Sequence, residues 1–276
     1  MTDTTKPDRD YVLGTHDDEL ERLGLQHRVW RDHVLDAWRR AGFTSGQTLL
    51  DLGCGPGYAT VDLGSVAGSG GSVIGIDRSR RFLDRLERVA REEAASPVET
   101  YEIDLDTGDL PDKLVDGVWC RWVLGFLRNP RRMIEQIARA VRPGGTFVSH
   151  EYFAYETWRF LPPSAELSEF VQTVISNWRA TGGEPDMGLE LPAWLGEAGF
   201  DIIEVRPLIH VLTPADEMWK WPTSFVSVAS ERWVEMGTMT RERAEQIREA
   251  ITRREHQPNA LMITPGLLEI IARRRG

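Results

Sequence analysis

One stretch constrains this chain more than any other: Leu49-Leu50-Asp51-Leu52-Gly53-Cys54-Gly55-Pro56-Gly57-Tyr58. It reads as a short buried strand over residues 48–52, a glycine-rich turn, and a helix over 58–66. Glycines at alternate positions let backbone approach a ligand where a side chain would intrude. The helix amino terminus adds unpaired N–H groups suited to a carboxylate or phosphate. A second apolar strand over 73–76 ends at Asp77, twenty residues past Gly57, and a carboxylate there can accept hydrogen bonds from ribose hydroxyls. The residues point to a nucleoside-containing ligand. A dinucleotide turn requires G-x-G-x-x-G. Here the third glycine position falls on Tyr58 in one register and Thr60 in the other, which disfavours a pyrophosphate.

Around this turn, short apolar strands alternate with amphipathic helices, the pattern of a parallel sheet covered by helices. The periodicity predicts helices over 79–94 and 133–141 and strands over 98–103, 117–121 and 146–149, the last after the break Pro143-Gly144-Gly145. It predicts two amphipathic helices between Asp17 and Arg40, ahead of the main fold. Beyond residue 150 it gives helices over 164–180 and 191–198 and a strand over 201–211 disturbed by Pro207. Thr213-Pro214 is read as a helix start, with further helical pieces after it and a final strand over 267–272.

The segment D-x-G-C-G-P-G resembles the first motif of class I S-adenosylmethionine-dependent methyltransferases, and the resemblance extends along the chain. Gly75-Ile76-Asp77-Arg78-Ser79 is similar to the second motif, which implies ribose binding by Asp77 with Arg78 beside it. Glu102-Ile103-Asp104-Leu105 implies adenine contacts from Asp104 and Leu105. The run from Asp116 to Leu124 resembles the fourth strand and its turn, which puts Cys120 and Arg121 near the methionine end. Arg142-Pro143-Gly144-Gly145-Thr146 and Glu197-Ala198-Gly199-Phe200 match the turns before two later strands. Asp51, Gly53, Cys54, Gly55 and Gly57 would form the cofactor turn. Tyr11 and Gln26 lie in a front segment similar to the lid of small-molecule members.

The resemblance implies an α/β fold: a Rossmann-like, seven-stranded, mostly parallel sheet with helices on both faces, N-terminal helices and helical inserts. Within one domain overall, residues 1–40 would be a helical lid, 41–150 the cofactor-binding core, and 151–276 the rest of the sheet with substrate-binding inserts.

Composition narrows the partners. The chain has 33 basic and 43 acidic residues among 276, a net charge of −10, which repels a phosphate backbone. No apolar run approaches the roughly 18 residues of a membrane span. The polar, acidic opening carries no export signal, so a cytoplasmic protein is expected. Its partner is read as a small molecule, with neither nucleic acid nor membrane, and a homodimer is left open. Cys54 and Cys120 are too few for a disulfide framework, and no metal site is expected.

Methyl transfer from a sulfonium asks mainly for alignment of the acceptor and exclusion of water. A base is needed only where the acceptor arrives protonated. His150 and Glu151, after the fifth strand, are the catalytic candidates, and alternation lets only one of them face the site. His150 is favoured because its ordinary pKa is near neutral; His210 is a weaker candidate. The inserts carry Trp158, Trp178, Trp219, Trp221, Trp233, Tyr152, Tyr155, Phe160 and Phe225. They read either as walls for an apolar or aromatic metabolite of secondary metabolism or as filler for the inserts' own core.

The reading is S-adenosylmethionine-dependent methyl transfer to an oxygen, nitrogen or carbon atom of such a metabolite. Its rivals are the same fold and cofactor used for non-methylating chemistry such as cyclisation, a nicotinamide-dependent oxidoreductase, and a non-catalytic binding module.

Overall fold

The structure is a computed structural model, and it describes residues 17–276. The chain begins with α1 (Asp17–Ala41), followed by β1 (Thr48–Leu52), α2 (Tyr58–Ala67), β2 (Ser72–Asp77), α3 (Arg80–Glu93), β3 (Val98–Glu102) and β4 (Val115–Arg121). Then α4 (Pro130–Ala140) leads into β5 (Val141–Phe153). Beyond it come β6 (Arg159–Leu161), α5 (Ala165–Ala180), α6 (Leu191–Glu197), β7 (Phe200–Leu208) and β8 (Val211–Leu212). The chain ends with α7 (Lys220–Glu235), α8 (Arg241–Glu255), β9 (Leu261–Ile263) and β10 (Gly266–Arg274).

Seven of these strands form one sheet in the order β3-β2-β1-β4-β5-β10-β7. Strands β1 to β5 run parallel, and β10 runs antiparallel to both β5 and β7. The expected mostly parallel, seven-stranded sheet is therefore present. Its strand order reverses at β1, between β2 and β4, and the crevice at the carboxyl ends of such strands is where ligands bind.

Alternation along the strands explains the two layers. Leu49, Val73, Trp119, Val148 and Ile271 pack against Trp30, Val34 and Trp38 of α1 and Leu63 of α2. Their neighbours Leu50, Ile74, Val118, Phe147 and Ile270 pack on the other face against Met133 and Ile137 of α4 and Leu191 and Leu195 of α6. Side chains buried on both faces are what a central parallel sheet requires.

Several elements differ from the sequence reading. The two expected front helices are one continuous α1. Gly24 does not break it: a Cβ there would lie 2.9 Å from the Tyr58 hydroxyl, so the glycine leaves room for that ring. Pro143-Gly144-Gly145 lies within β5, where the pairing with β4 slips between Val115 and Gly117, rather than before the strand. The strand expected over 201–211 is split into β7 and β8, which belong to different sheets. Thr213-Pro214 starts no helix; the Thr213 N–H and hydroxyl both donate to Asp216 in a turn, and α7 begins at Lys220. The second sheet, β6-β9-β8, was not anticipated. Arg274, in β10, donates to the carbonyls of Ala138 and Gly199.

Candidate cofactor site

Gly53, Gly55 and Gly57 all have positive φ, at +69°, +52° and +91°, a region that costs any residue with a Cβ. They serve different ends. A Cβ on Gly53 would lie 2.3 Å from Val123 Cγ2, and one on Gly57 would lie 2.4 Å from Leu86 Cδ1. A Cβ on Gly55 would meet nothing within 4 Å. Two glycines are thus demanded by packing inside the protein, while the middle one opens onto free space. Gly57 also caps α2 without a side-chain bond, so the first N–H groups of that helix lack the usual cap.

Asp77 braces this turn. Its Oδ2 accepts the Gly55 N–H and its Oδ1 accepts the Ser79 N–H, each at 2.9 Å. Burial raises its pKa, partly offset by those N–H donors. Asp51, at the end of β1, is buried and accepts the Thr60 hydroxyl at 2.7 Å. Burial lifts Asp51 to about 6, against the Thr60 bond and the nearby charge of Arg121. The Cys54 side chain turns into a small cluster with Leu83 and Leu86. Arg78 and Asp104 are exposed, and Asp104 accepts the Asp106 N–H at 2.9 Å. Leu105 is part of the buried core.

Arg121 ends β4 on the α1 side of the sheet. Its guanidinium carbon sits 5.0 Å from the centre of the Trp122 ring and 5.9 Å from that of Trp119. Nη2 lies 3.3 Å from His27 Nδ1. Because Arg121 has only protons to offer, His27 accepts there, which leaves its Nε2–H to donate to Asp62 Oδ2 at 3.0 Å. Asp62 is in turn held by Arg31. Arg121 Nη1 is buried with no partner among the described residues. Burial lowers its pKa to about 10, and the charge of Asp51 only partly offsets this. A desolvated cation without a bonded carboxylate is costly, and its position beside the glycine turn suits a carboxylate-bearing ligand.

The remaining expected residues are placed less openly. Gln26 Oε1 accepts from Trp221 Nε1 at 3.1 Å and from Arg22 Nη1 at 3.2 Å. Tyr11 lies outside the described residues. The Cys120 side chain points to the α4 face, wholly buried, 4.0 Å from Glu151 Oε1.

His150 and Glu151 sit on opposite faces of β5, as alternation requires. Neither is open to solvent: their exposures are 0% and 1%. His150 Nε2 lies 2.9 Å from Glu269 Oε2, with the Trp119 ring 4.9 Å away edge-on. Its burial lowers its pKa against the pull of Glu269. Glu151 turns to the turn after β4, where its Oε1 accepts the N–H groups of Val123 and Leu124, both at 2.8 Å. His210 is half-buried between Trp30 and His33.

The insert aromatics divide. Trp158, Phe160, Trp219 and Trp233 fill a separate core with Phe170, Val226 and Met262. Trp122, Tyr152 and Trp221 stack nearly parallel over the sheet end, with centroids 5.5 Å apart in each pair. Phe126, 47% exposed, stacks on Trp178 at 4.4 Å. Trp122 itself was not anticipated as a site residue. Its φ of +53° is the one signal, and it belongs to the structure rather than the sequence.

A parallel sheet reversing at β1, with an acid-braced glycine turn at its carboxyl end and beside it an arginine nitrogen that has no partner among the described residues, makes a Rossmann-like fold suited to a nucleoside cofactor. Residues 50–149 match the family described as a methyltransferase domain. A demethylmenaquinone methyltransferase of Bacillus licheniformis is 26% identical over 208 residues, covering 71% of this chain and 87% of that protein. An uncharacterized 37.1 kDa protein in transposon TN4556 of Streptomyces fradiae is 30% identical over 191 residues, covering 68% of this chain. The match spans about half of that relative, 52% of its length. Among solved structures, the cyclopropane synthase MmaA2 from Mycobacterium tuberculosis superposes with a TM-score of 0.61 at 13% identity, covering 99% of this chain and all of that one. Over residues 50–149 the chain carries a class I S-adenosylmethionine-dependent methyltransferase domain, and its cofactor is S-adenosylmethionine. The open side of Gly55 and the unpaired Arg121 nitrogen fit that cofactor's nucleoside and amino-acid ends.

Proposed function

We propose that this chain transfers a methyl group from S-adenosylmethionine to a carbon, oxygen or nitrogen atom of a small apolar or aromatic metabolite. The observation that carries the reading is Gly55, whose missing side chain opens onto free space while Asp77 fixes its N–H. In this reading the backbone of Gly53, Cys54, Gly55 and Gly57 holds the cofactor, and Asp77 takes the ribose. Arg78, Asp104 and Leu105 flank the adenine, and Arg121, with Asp51 behind it, receives the methionine carboxylate. Gln26 reaches the same end from α1, with Tyr11 in the segment before it.

The bound cofactor supplies an electrophilic methyl group. The chain's own work is alignment and water exclusion. Trp122, Tyr152 and Trp221 cover the sheet end with stacked rings, and Phe126 with Trp178 offers an exposed aromatic step beside them. Such walls suit a flat, apolar acceptor. The demethylmenaquinone methyltransferase relative supports a quinone-like or phenolic acceptor. His150 is bonded to Glu269 under α1, so the reading assigns it no proton transfer.

A second reading keeps the cofactor but changes the chemistry, and the fold shared with the cyclase SpnF favours keeping it in view. One assay separates the two. The protein is incubated with methyl-labelled S-adenosylmethionine and a panel of quinols, phenols and apolar amines. Label in an acceptor together with equimolar S-adenosylhomocysteine supports methyl transfer. Product without S-adenosylhomocysteine supports the alternative.

A further inference from the structure

The Glu151 carboxylate is buried at the carboxyl end of β5, yet no cation bonds to it among the described residues. Its donors are backbone N–H groups and, at 4.0 Å, the Cys120 thiol. The Val123 and Leu124 N–H groups converge on the single oxygen Oε1. The preceding residue, Trp122, is held in the left-handed region and donates its own N–H to the His150 carbonyl at 3.0 Å. Two consecutive residues of β5 therefore fix the whole 122–124 turn, one by its carbonyl and the next by its carboxylate. That turn bears directly on the cofactor loop, because Val123 Cγ2 occupies the space a Cβ on Gly53 would need.

We infer that Glu151 is a positioning residue: its carboxylate clamps the turn after β4 so that Val123 sets the glycine loop in the shape that receives the cofactor. A carboxylate does this better than a neutral acceptor, since hydrogen bonds to an ionised oxygen are roughly twice as strong. Trp122 is a sparsely populated left-handed residue, which persists only when its surroundings hold it.

The clamp also titrates. Burial raises Glu151 to about 7, even with the N–H groups of Val123, Leu124 and Gly125 pulling it down. The ionisable groups facing it are Cys120 from β4 and Tyr152 beside it on β5. Burial pushes both well above their ordinary values, so both stay neutral while Glu151 changes charge. The 187–189 turn lies against the Glu151 backbone carbonyl, and β10 sets the apolar Leu268 opposite Glu151. Asp51 and Asp77 titrate on the cofactor loop itself, so the Glu151 contribution is read as a difference between two proteins.

The inference rests on the cofactor reading above, and the experiment separates the two. S-Adenosylhomocysteine is titrated calorimetrically into the unsubstituted protein and into Glu151→Gln at about pH 8.5 and about pH 5.5. Replacing the ionised acceptor by a neutral one is expected to weaken binding about tenfold at the higher pH, with the two proteins converging at the lower pH where both acceptors are neutral. A ratio that is unity at both pH values, or the same at both, overturns the clamp. No binding by the unsubstituted protein at either pH overturns the cofactor reading itself. The unsubstituted protein gives a second test that needs no variant to fold. The amide proton shifts of Val123 and Leu124 should titrate together with a midpoint near 7; flat shifts would remove Glu151 as their acceptor.

Discussion

His150 Nε2 lies 2.9 Å from Oε2 of Glu269, a residue 119 positions further along the chain. The same carboxylate also pairs with Arg40 at the end of α1, and Arg40 pairs again with Glu204 of β7. The pair thus joins α1 to the outer strands of the sheet. Burial raises the Glu269 pKa, but the bonds to His150 and Arg40 outweigh it, so it is held below its ordinary value.

His150 is therefore expected to act on stability. Replacing it by alanine removes a fully buried ring and one bond to Glu269, at a cost of about 2–4 kcal/mol. Chemical denaturation checks the loss. Methyl transfer per folded molecule is expected to stay within a factor of about three, and a far larger fall in kcat at intact stability would return His150 to the reaction.

The three glycines predict a split between folding and binding. Gly55→Ala introduces a left-handed alanine, costing about 1–2 kcal/mol, but meets no atom, so the protein should remain folded. Its Cβ would occupy the space assigned to the cofactor, and S-adenosylhomocysteine affinity should fall by more than about tenfold. Gly53→Ala and Gly57→Ala add a clash with Val123 or Leu86 and should lower the melting temperature further. Melting curves and calorimetry on the same three variants would expose a different order.

Arg121 should trade stability for binding. Its Nη1, without a partner among the described residues, and its lowered pKa mark a desolvated cation, so Arg121→Met is expected to melt no lower than the unsubstituted protein. Cofactor affinity should drop about tenfold, the scale of one lost charge-assisted hydrogen bond. A variant that binds as tightly as before would place the methionine carboxylate elsewhere.

Asp51 and Glu151 should each weaken the fold as pH rises through the neutral range. Burial raises Asp51 to about 6 and Glu151 to about 7, both above their unfolded values. The folded protein then holds protons that the unfolded chain has released, so their contribution is full in acid and is lost as pH rises through those values. Asp62 acts oppositely but at lower pH: His27 and Arg31 outweigh its burial and hold it at about 2, so its contribution is lost only in stronger acid. The buried His27, His150 and His210, whose pKa values are lowered, act in the opposite sense over the same range, so the test is a difference: between about pH 5 and about pH 8 the urea midpoint of Asp51→Asn with Glu151→Gln should rise with pH relative to that of the unsubstituted protein.

The cofactor half of the molecule was legible because its signals are local. Gly53, Gly55, Gly57 and Asp77 sit at turns whose shape depends on those residue types, and β1 and β2 are buried runs flanked by them. The second half hides its logic in distant pairs. Strands β6, β9 and β8 span three, three and two residues, too short for a period, and β9 pairs with β6 across roughly a hundred positions and with β8 across roughly fifty. Glu151 looked like a base because its backbone partners leave no mark in sequence, and nothing local ties His150 to Glu269. The insert tryptophans could not be sorted in advance either, since Trp219 in a core and Trp221 in a stack lie two residues apart.

The most direct test of the account is a calorimetric titration of the unsubstituted protein with S-adenosylhomocysteine, with NADH as the control ligand. Saturable one-to-one binding of S-adenosylhomocysteine, no heat with NADH, and loss of the first in Asp77→Ala are the predicted results. Binding of NADH, or S-adenosylhomocysteine binding that survives loss of Asp77 unchanged, would contradict the site described.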